Sequence, residues 1–155
     1  MENEDKLMYH DIETVKDEVA NLLVYYQQAA MATTGKKFPE ISKVTPVLLD
    51  DDNIYLLLSD LSQHTTNIKT ISENVSLYFA GENRHKTEMN NARVTLSGKL
   101  ELYDNKSDDI LSAFERRDRG ARMYGKFNDF NVWKFIETHR LYVEGFGKAY
   151  KWVKK

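Results

Sequence analysis

Between Ser59 and Lys69 the chain reads Ser-Asp-Leu-Ser-Gln-His-Thr-Thr-Asn-Ile-Lys, and these side chains suit the capture of an oxyanion. Hydroxyls at Ser59, Ser62 and Thr65, an imidazole at His64 and an amide at Asn67 fall where an apolar run ends and a helix is expected to begin. The first N–H groups of a helix have no partner inside it, and its N-terminus carries partial positive charge. A phosphate can rest on such a loop. The same residue types are equally favoured as helix caps, so the residues alone leave both uses open.

Those positions depend on the elements around them. Ile54 to Leu58 is a short apolar run, expected as a strand buried on both faces and joined to Val47-Leu48-Leu49 through the polar turn Asp50-Asp51-Asp52-Asn53. Upstream, Ile12, Val15, Val19, Leu22, Leu23 and Tyr26 recur at spacings of three and four, which predicts an amphipathic helix over 12–28 with Asp11 as N-cap. Ala32-Thr33-Thr34 and the stretch Ile41 to Leu49 read as strands around Gly35-Lys36-Lys37, and Val75 to Ala80 as another. Gly81 to Asn90 is a polar connection.

From Ala92 to Leu102 the pattern alternates, with Val94, Leu96, Gly98, Leu100 and Leu102 on one face, as in a half-buried strand. Ser107 to Tyr124 reads as one helix capped by Ser107, with Arg116, Arg117, Arg119 and Arg122 toward its end, where they complement the helix dipole. Phe130 to Ile136 and Leu141 to Tyr150 follow as two aromatic strands, the second interrupted by Gly145-Phe146-Gly147, where a bulge or a close backbone approach is expected. The fold class is mainly β with helices: antiparallel strands over about 30–150 forming a small barrel, one helix before them and one before the last two strands. Closure of that barrel is expected to remove the sheet edges.

A chain of 155 residues suits a single domain over 1–155, and 41% hydrophobic and 12% aromatic residues are those of a globular protein. The formal net charge of −2 gives no reason to expect nucleic acid or an anionic membrane as partner. With no cysteine, disulfides, thiolate ligands and cysteine nucleophiles are excluded. The acidic start Met1-Glu2-Asn3-Glu4-Asp5 lacks the charge of a secretory signal, and no stretch approaches the ~20 apolar residues of a membrane span, so a cytoplasmic protein is expected.

The ordered set Met31-Ala32-Thr33, Tyr55 to Ser59, Leu61 to Ile68, Asn74 to Leu77, Ala92 to Leu96, Asp129-Phe130 and Gly145-Phe146-Gly147-Lys148-Ala149 resembles the HugZ/HutZ-like haem-utilisation branch of the pyridoxamine 5'-phosphate oxidase-like superfamily. The resemblance implies an FMN-binding split β-barrel and a homodimer with a small-molecule cofactor, flavin or haem, at the subunit interface. It places Ser59, Ser62, His64, Thr65 and Asn67 on the phosphate-binding loop, Arg93 on a strand position that supplies a cation, and Asp129 near haem. The function it implies is that of an FMN-dependent oxidoreductase linked to haem iron utilisation.

Haem-degrading members add a histidine near the C-terminus as iron ligand, whereas this sequence runs Tyr150-Lys151-Trp152-Val153-Lys154-Lys155. Iron in haem needs an axial donor, which here must come from His10, His64, His85 or His139; a flavin needs none. Two alternatives therefore stand beside the flavoprotein: a haem-binding or haem-degrading protein without flavin, and a non-catalytic module that holds haem, flavin or coenzyme F420. No residue is assigned as catalytic and no metal site is expected. Arg93 can equally pair with an acidic neighbour such as Glu101, Asp129 reads as a turn residue, and Trp133 and Trp152 read as core or interface before they read as stacking partners.

Overall fold

The computed structural model describes residues 9–80, 91–145 and 147–153, and nine strands there share one sheet. In chain order these are β1 (Tyr9–Asp11), a 3-10 turn (Ile12–Val15), α1 (Lys16–Tyr25), β2 (Ala29–Thr34), β3 (Pro39–Val44), β4 (Val47–Leu48), β5 (Ile54–Ser59), α2 (Gln63–Thr70), β6 (Asn74–Ala80), β7 (Arg93–Tyr103), α3 (Asp108–Glu115), α4 (Ala121–Tyr124), β8 (Phe130–Gly145) and β9 (Lys148–Val153). The main path runs β1-β9-β8-β7-β6-β2-β3, while β5 pairs with β8 and with β4. Every pairing is antiparallel except β1 with β9.

The sheet is split rather than closed. The expected removal of edges is not met, because β3 ends the path with Ile41 75% exposed. The first helix follows its periodicity, with Ile12, Val15, Val19 and Leu23 buried. Asp11 caps it by accepting from the Glu13 N–H at 3.0 Å, although the first turn is 3-10 and the helix stops at Tyr25 rather than at residue 28. β5 is buried along both faces, as its apolar run requires. In β7 the alternation holds through Leu100, but Leu102 is exposed, since β7 runs past its last β6 partner at Lys99 and is covered by β8 alone.

Two expectations from the second half are corrected. The long helix is broken into α3 and α4, because Asp118 accepts from the Gly120 N–H at 3.1 Å and turns the chain between them. The two aromatic strands begin as one: β8 is a continuous 16-residue strand. Its first half pairs with β5, its second half with β9, and β7 runs along most of its length, which holds even the polar stretch Glu137 to Arg140 extended. The Gly145 to Gly147 segment is therefore the β8–β9 turn, with a register shift between Val143 and Gly145 and with Gly147 at φ +80°, where a residue without Cβ is favoured. Phe146 lies outside the described residues, as does the polar connection over 81–90.

Two apolar clusters result. One packs α1 and α2 on the sheet around Leu56, Leu77, Val94 and Leu96; the other packs α3 and α4 on β4, β5 and β8 around Tyr55, Phe114 and Val132. Each fully buried aliphatic side chain stabilises by about 1.5–3 kcal/mol, enough to fix the end of β5 and the start of α2.

Candidate functional site

The oxyanion loop leaves the buried strand β5 at Ser59 and enters α2 at Gln63. Ser62 is the N-cap in extended conformation, yet its side chain makes no cap hydrogen bond; its carbonyl instead accepts from the N–H groups of Thr65 and Thr66 at 3.1 and 3.2 Å. The Ser62 side chain therefore leaves the opening N–H groups of α2, those of Gln63 and His64, uncapped, at the end of the helix where its geometry supplies no internal acceptor. The loop is pinned from outside: Asp60 pairs with Lys69 at 2.9 Å and accepts from Asn131 Nδ2 at 3.0 Å.

The sequence-derived residues divide by what they touch. Ser59 Oγ donates to the Asp129 carboxylate at 2.8 Å and accepts from the Leu61 N–H at 3.1 Å. Asp129 lies in the turn before β8, as read from the sequence, and its carbonyl also accepts from the Asp60 N–H. Asn67 is fully buried and joins three elements: Nδ2 donates to Thr33 Oγ1 at 3.0 Å and Glu40 Oε2 at 3.2 Å, and Oδ1 accepts from Gln63 Nε2 at 3.0 Å. This bond set ties α2 to β2 and β3.

His64 and Thr65 differ, for among the described residues the buried Nε2 of one and the buried Oγ1 of the other have no hydrogen-bond partner. Burial pushes the His64 imidazole below its ordinary value of 6.5, which favours the neutral ring. A cavity of about 210 Å³ gathers Ser59, Ser62 and His64 with Lys43 and Thr45 from the β3–β4 side and Tyr124 from α4. Asp118 lines the cavity too, and its carboxylate accepts from the Tyr124 hydroxyl.

Sequence reasoning missed Lys43, Thr45 and Tyr124. Only the fold brings β3 and α4 to the mouth of α2, and no spacing in the sequence signals it. Arg93 is not brought there within one chain: it pairs with Val143 near the far end of β8, whereas Ser59 pairs with Phe130 at its start. Arg93 Nη1 donates to the Asn91 carbonyl at 3.2 Å, and Glu101 pairs with Lys99. Trp133 is 5% exposed within the core, and Trp152 stacks under Arg140 at 5.7 Å. His139 is exposed beside a second groove of about 590 Å³ lined by Ala32, Thr33, Ser76, Ser97 and Gly98. His85 and the side chain of His10 lie outside the described residues.

Among the described residues no group of three or more His, Cys, Asp or Glu can hold a metal ion, and no helix is long and apolar enough to cross a membrane.

Solved structures share this fold. A haem-binding protein from Mycobacterium smegmatis is 24% identical with a TM-score of 0.75, the match covering 88% of this chain and 56% of that one. Campylobacter jejuni ChuZ is 21% identical with a TM-score of 0.81, over 96% of this chain and 63% of that one. The Vibrio cholerae haem storage protein HutZ is 15% identical with a TM-score of 0.67, over 79% and 89%. The chain thus spans less than two thirds of the first two proteins. Among curated proteins none matches. A family model described as CREG, beta-barrel matches residues 16–155; the open, mainly antiparallel sheet agrees with it, and the chain belongs to the CREG β-barrel family of split barrels.

Proposed function

We propose that this chain is an FMN-binding protein whose α2 N-terminus holds the flavin phosphate, working as a cytoplasmic homodimer in haem-iron metabolism. The observation that supports it is the pair of orphaned buried atoms, His64 Nε2 and Thr65 Oγ1, in the first turn of a helix whose N-cap side chain makes no cap bond. His64 lines a cavity of about 210 Å³ together with Ser62, Lys43 and Asp118, a size suited to a phosphoryl group and too small for the whole nucleotide; Thr65 lies directly behind His64 in the chain. Ser59 and Asn67 position the loop through Asp129, Thr33 and Glu40. Bound flavin would supply hydride or electron transfer, and the protein would hold and tune it. Arg93 can serve the same ligand only from a second copy, which is the part the homodimer plays in this reading.

A second reading is haem without flavin. It is favoured by the haem-binding and haem-storage proteins among the structural neighbours and by His64, a half-buried imidazole held toward its neutral form with Nε2 unpartnered.

Titration with FMN, riboflavin and haemin separates these readings, followed by absorbance and flavin fluorescence. If the phosphate is gripped, FMN binds at least about tenfold more tightly than riboflavin, since one charge-assisted hydrogen bond is worth about 1.5–3 kcal/mol. Equal affinity for the two flavins rejects the phosphate site. Stoichiometric haemin binding with weak FMN binding replaces the first reading by the second.

A further inference from the structure

At the other end of the sheet, α1 and the ends of β7 and β8 enclose a cavity of about 670 Å³ lined by Glu18, Leu22, Tyr25, Tyr26, Tyr142 and Glu144 among others. We propose that it binds a small organic molecule through an ammonium group, held between the carboxylates of Glu18 and Glu144 and faced by tyrosine rings. Within one chain the cavity lies apart from the oxyanion loop, because Val143 beside it and the Ser59 partner Phe130 lie at opposite ends of β8.

Three observations converge. Tyr142 is 3% exposed, lines the cavity, and among the described residues its hydroxyl has no hydrogen-bond partner. A hydroxyl at the edge of a cavity on an otherwise buried ring is free to meet a ligand there. Second, Glu18 and Glu144 line the same cavity as Tyr142, and burial together with their charges raises its hydroxyl to about 12. No ion pair is made by either carboxylate among the described residues; Glu144 only accepts from the Tyr150 hydroxyl at 3.3 Å.

Third, the lining chemistry selects the ligand. Two carboxylates that make no ion pair among the described residues repel anions, and the volume exceeds that of a bare ion. Tyrosine rings attract organic cations through their electron-rich faces, and here Tyr25 and Tyr26 meet edge to face at 5.5 Å while Tyr142 and Tyr150 lie 5.7 Å apart. Divalent metal is disfavoured because no metal-holding cluster exists among the described residues.

The test is titration of the full chain with phenethylamine and with its uncharged analogue 2-phenylethanol, following the NMR signals of ring-labelled tyrosines. Phenethylamine is expected to bind saturably and at least about tenfold more tightly than the alcohol, and to weaken with added salt. Glu18→Gln and Glu144→Gln are each expected to lose about threefold or more for the amine, leaving the alcohol unchanged. Thermal unfolding of each variant confirms that it remains folded, and the two replacements sit on different elements, so loss of one fold leaves the other informative. Equal binding of amine and alcohol, no saturation below about 10 mM, or unchanged amine affinity in a folded variant overturns the proposal.

Discussion

Ser59 Oγ and the Asp129 carboxylate meet at 2.8 Å across 70 residues of sequence, closing the end of β5 onto the turn before β8. The same oxygen accepts from the Leu61 N–H, so one hydroxyl sets both the strand end and the start of the oxyanion loop. Ser59→Ala is expected to cost about 1–2 kcal/mol, the range for a partly exposed bond to a charged group. Asp129→Asn keeps an acceptor and should cost less. A double-mutant cycle by denaturant unfolding measures the coupling; additive single effects would show that the pair contributes nothing of its own.

Asn67 is expected to be a pillar of α2 more than a ligand contact. Its amide spends all its described bonds on Thr33, Glu40 and Gln63 inside the protein. Asn67→Ala should destabilise by about 2–3 kcal/mol through the lost bonds and the cavity. Asn67→Asp should be worse at neutral pH, because it sets a second carboxylate against Glu40. Like charges raise a folded-state carboxyl pKa, so that variant should regain stability as pH falls through the raised value. Chemical unfolding at pH 7 and pH 5 checks both statements.

Gly98 marks the register shift between β7 and β8. A Cβ there would lie 2.1 Å from the Ile136 carbonyl oxygen, which is backbone and cannot swing away. Gly98→Ala is expected to cost on the order of 3 kcal/mol, read as a drop in Tm. Gly147→Ala meets nothing within 4 Å and is strained only by its φ of +80°, so about 1 kcal/mol is expected there.

These positions show how far the sequence could be read. The buried run Ile54 to Leu58, the alternation from Val94 to Leu100 and the caps Asp11 and Ser107 are local signals, and they survive folding unchanged. Gly98 read as one more small residue on an alternating face, because a bulge is a property of two strands together. The stretch Glu137 to Arg140 read as a break between strands, since its polarity hides the fact that β7 runs along it and β9 joins at His139 and Arg140. The loop Ser59 to Asn67 was legible as a cluster of polar groups; that Asn67 points into the core while His64 and Thr65 keep unpartnered atoms depends on β2 and β3, which no spacing encodes. Lys43 was invisible for the same reason.

His64 supplies the prediction that separates the ligands by sign. Burial lowers its folded-state value below 6.5, so between those two values the unfolded chain holds more protons than the native one, and stability must fall as pH drops through that window. His64→Gln removes the contribution, and the stability gap between variant and parent should change between pH 8 and pH 5; parallel curves would show that the imidazole titrates alike in both states. An oxyanion bound beside the ring favours its protonated form and raises its folded value, so FMN should flatten the parent's slope. Iron ligation demands the neutral ring, so haemin held by His64 should steepen it. Tm against pH with FMN and with haemin therefore distinguishes a phosphate contact from an axial ligand at the same nitrogen, without any assay of turnover.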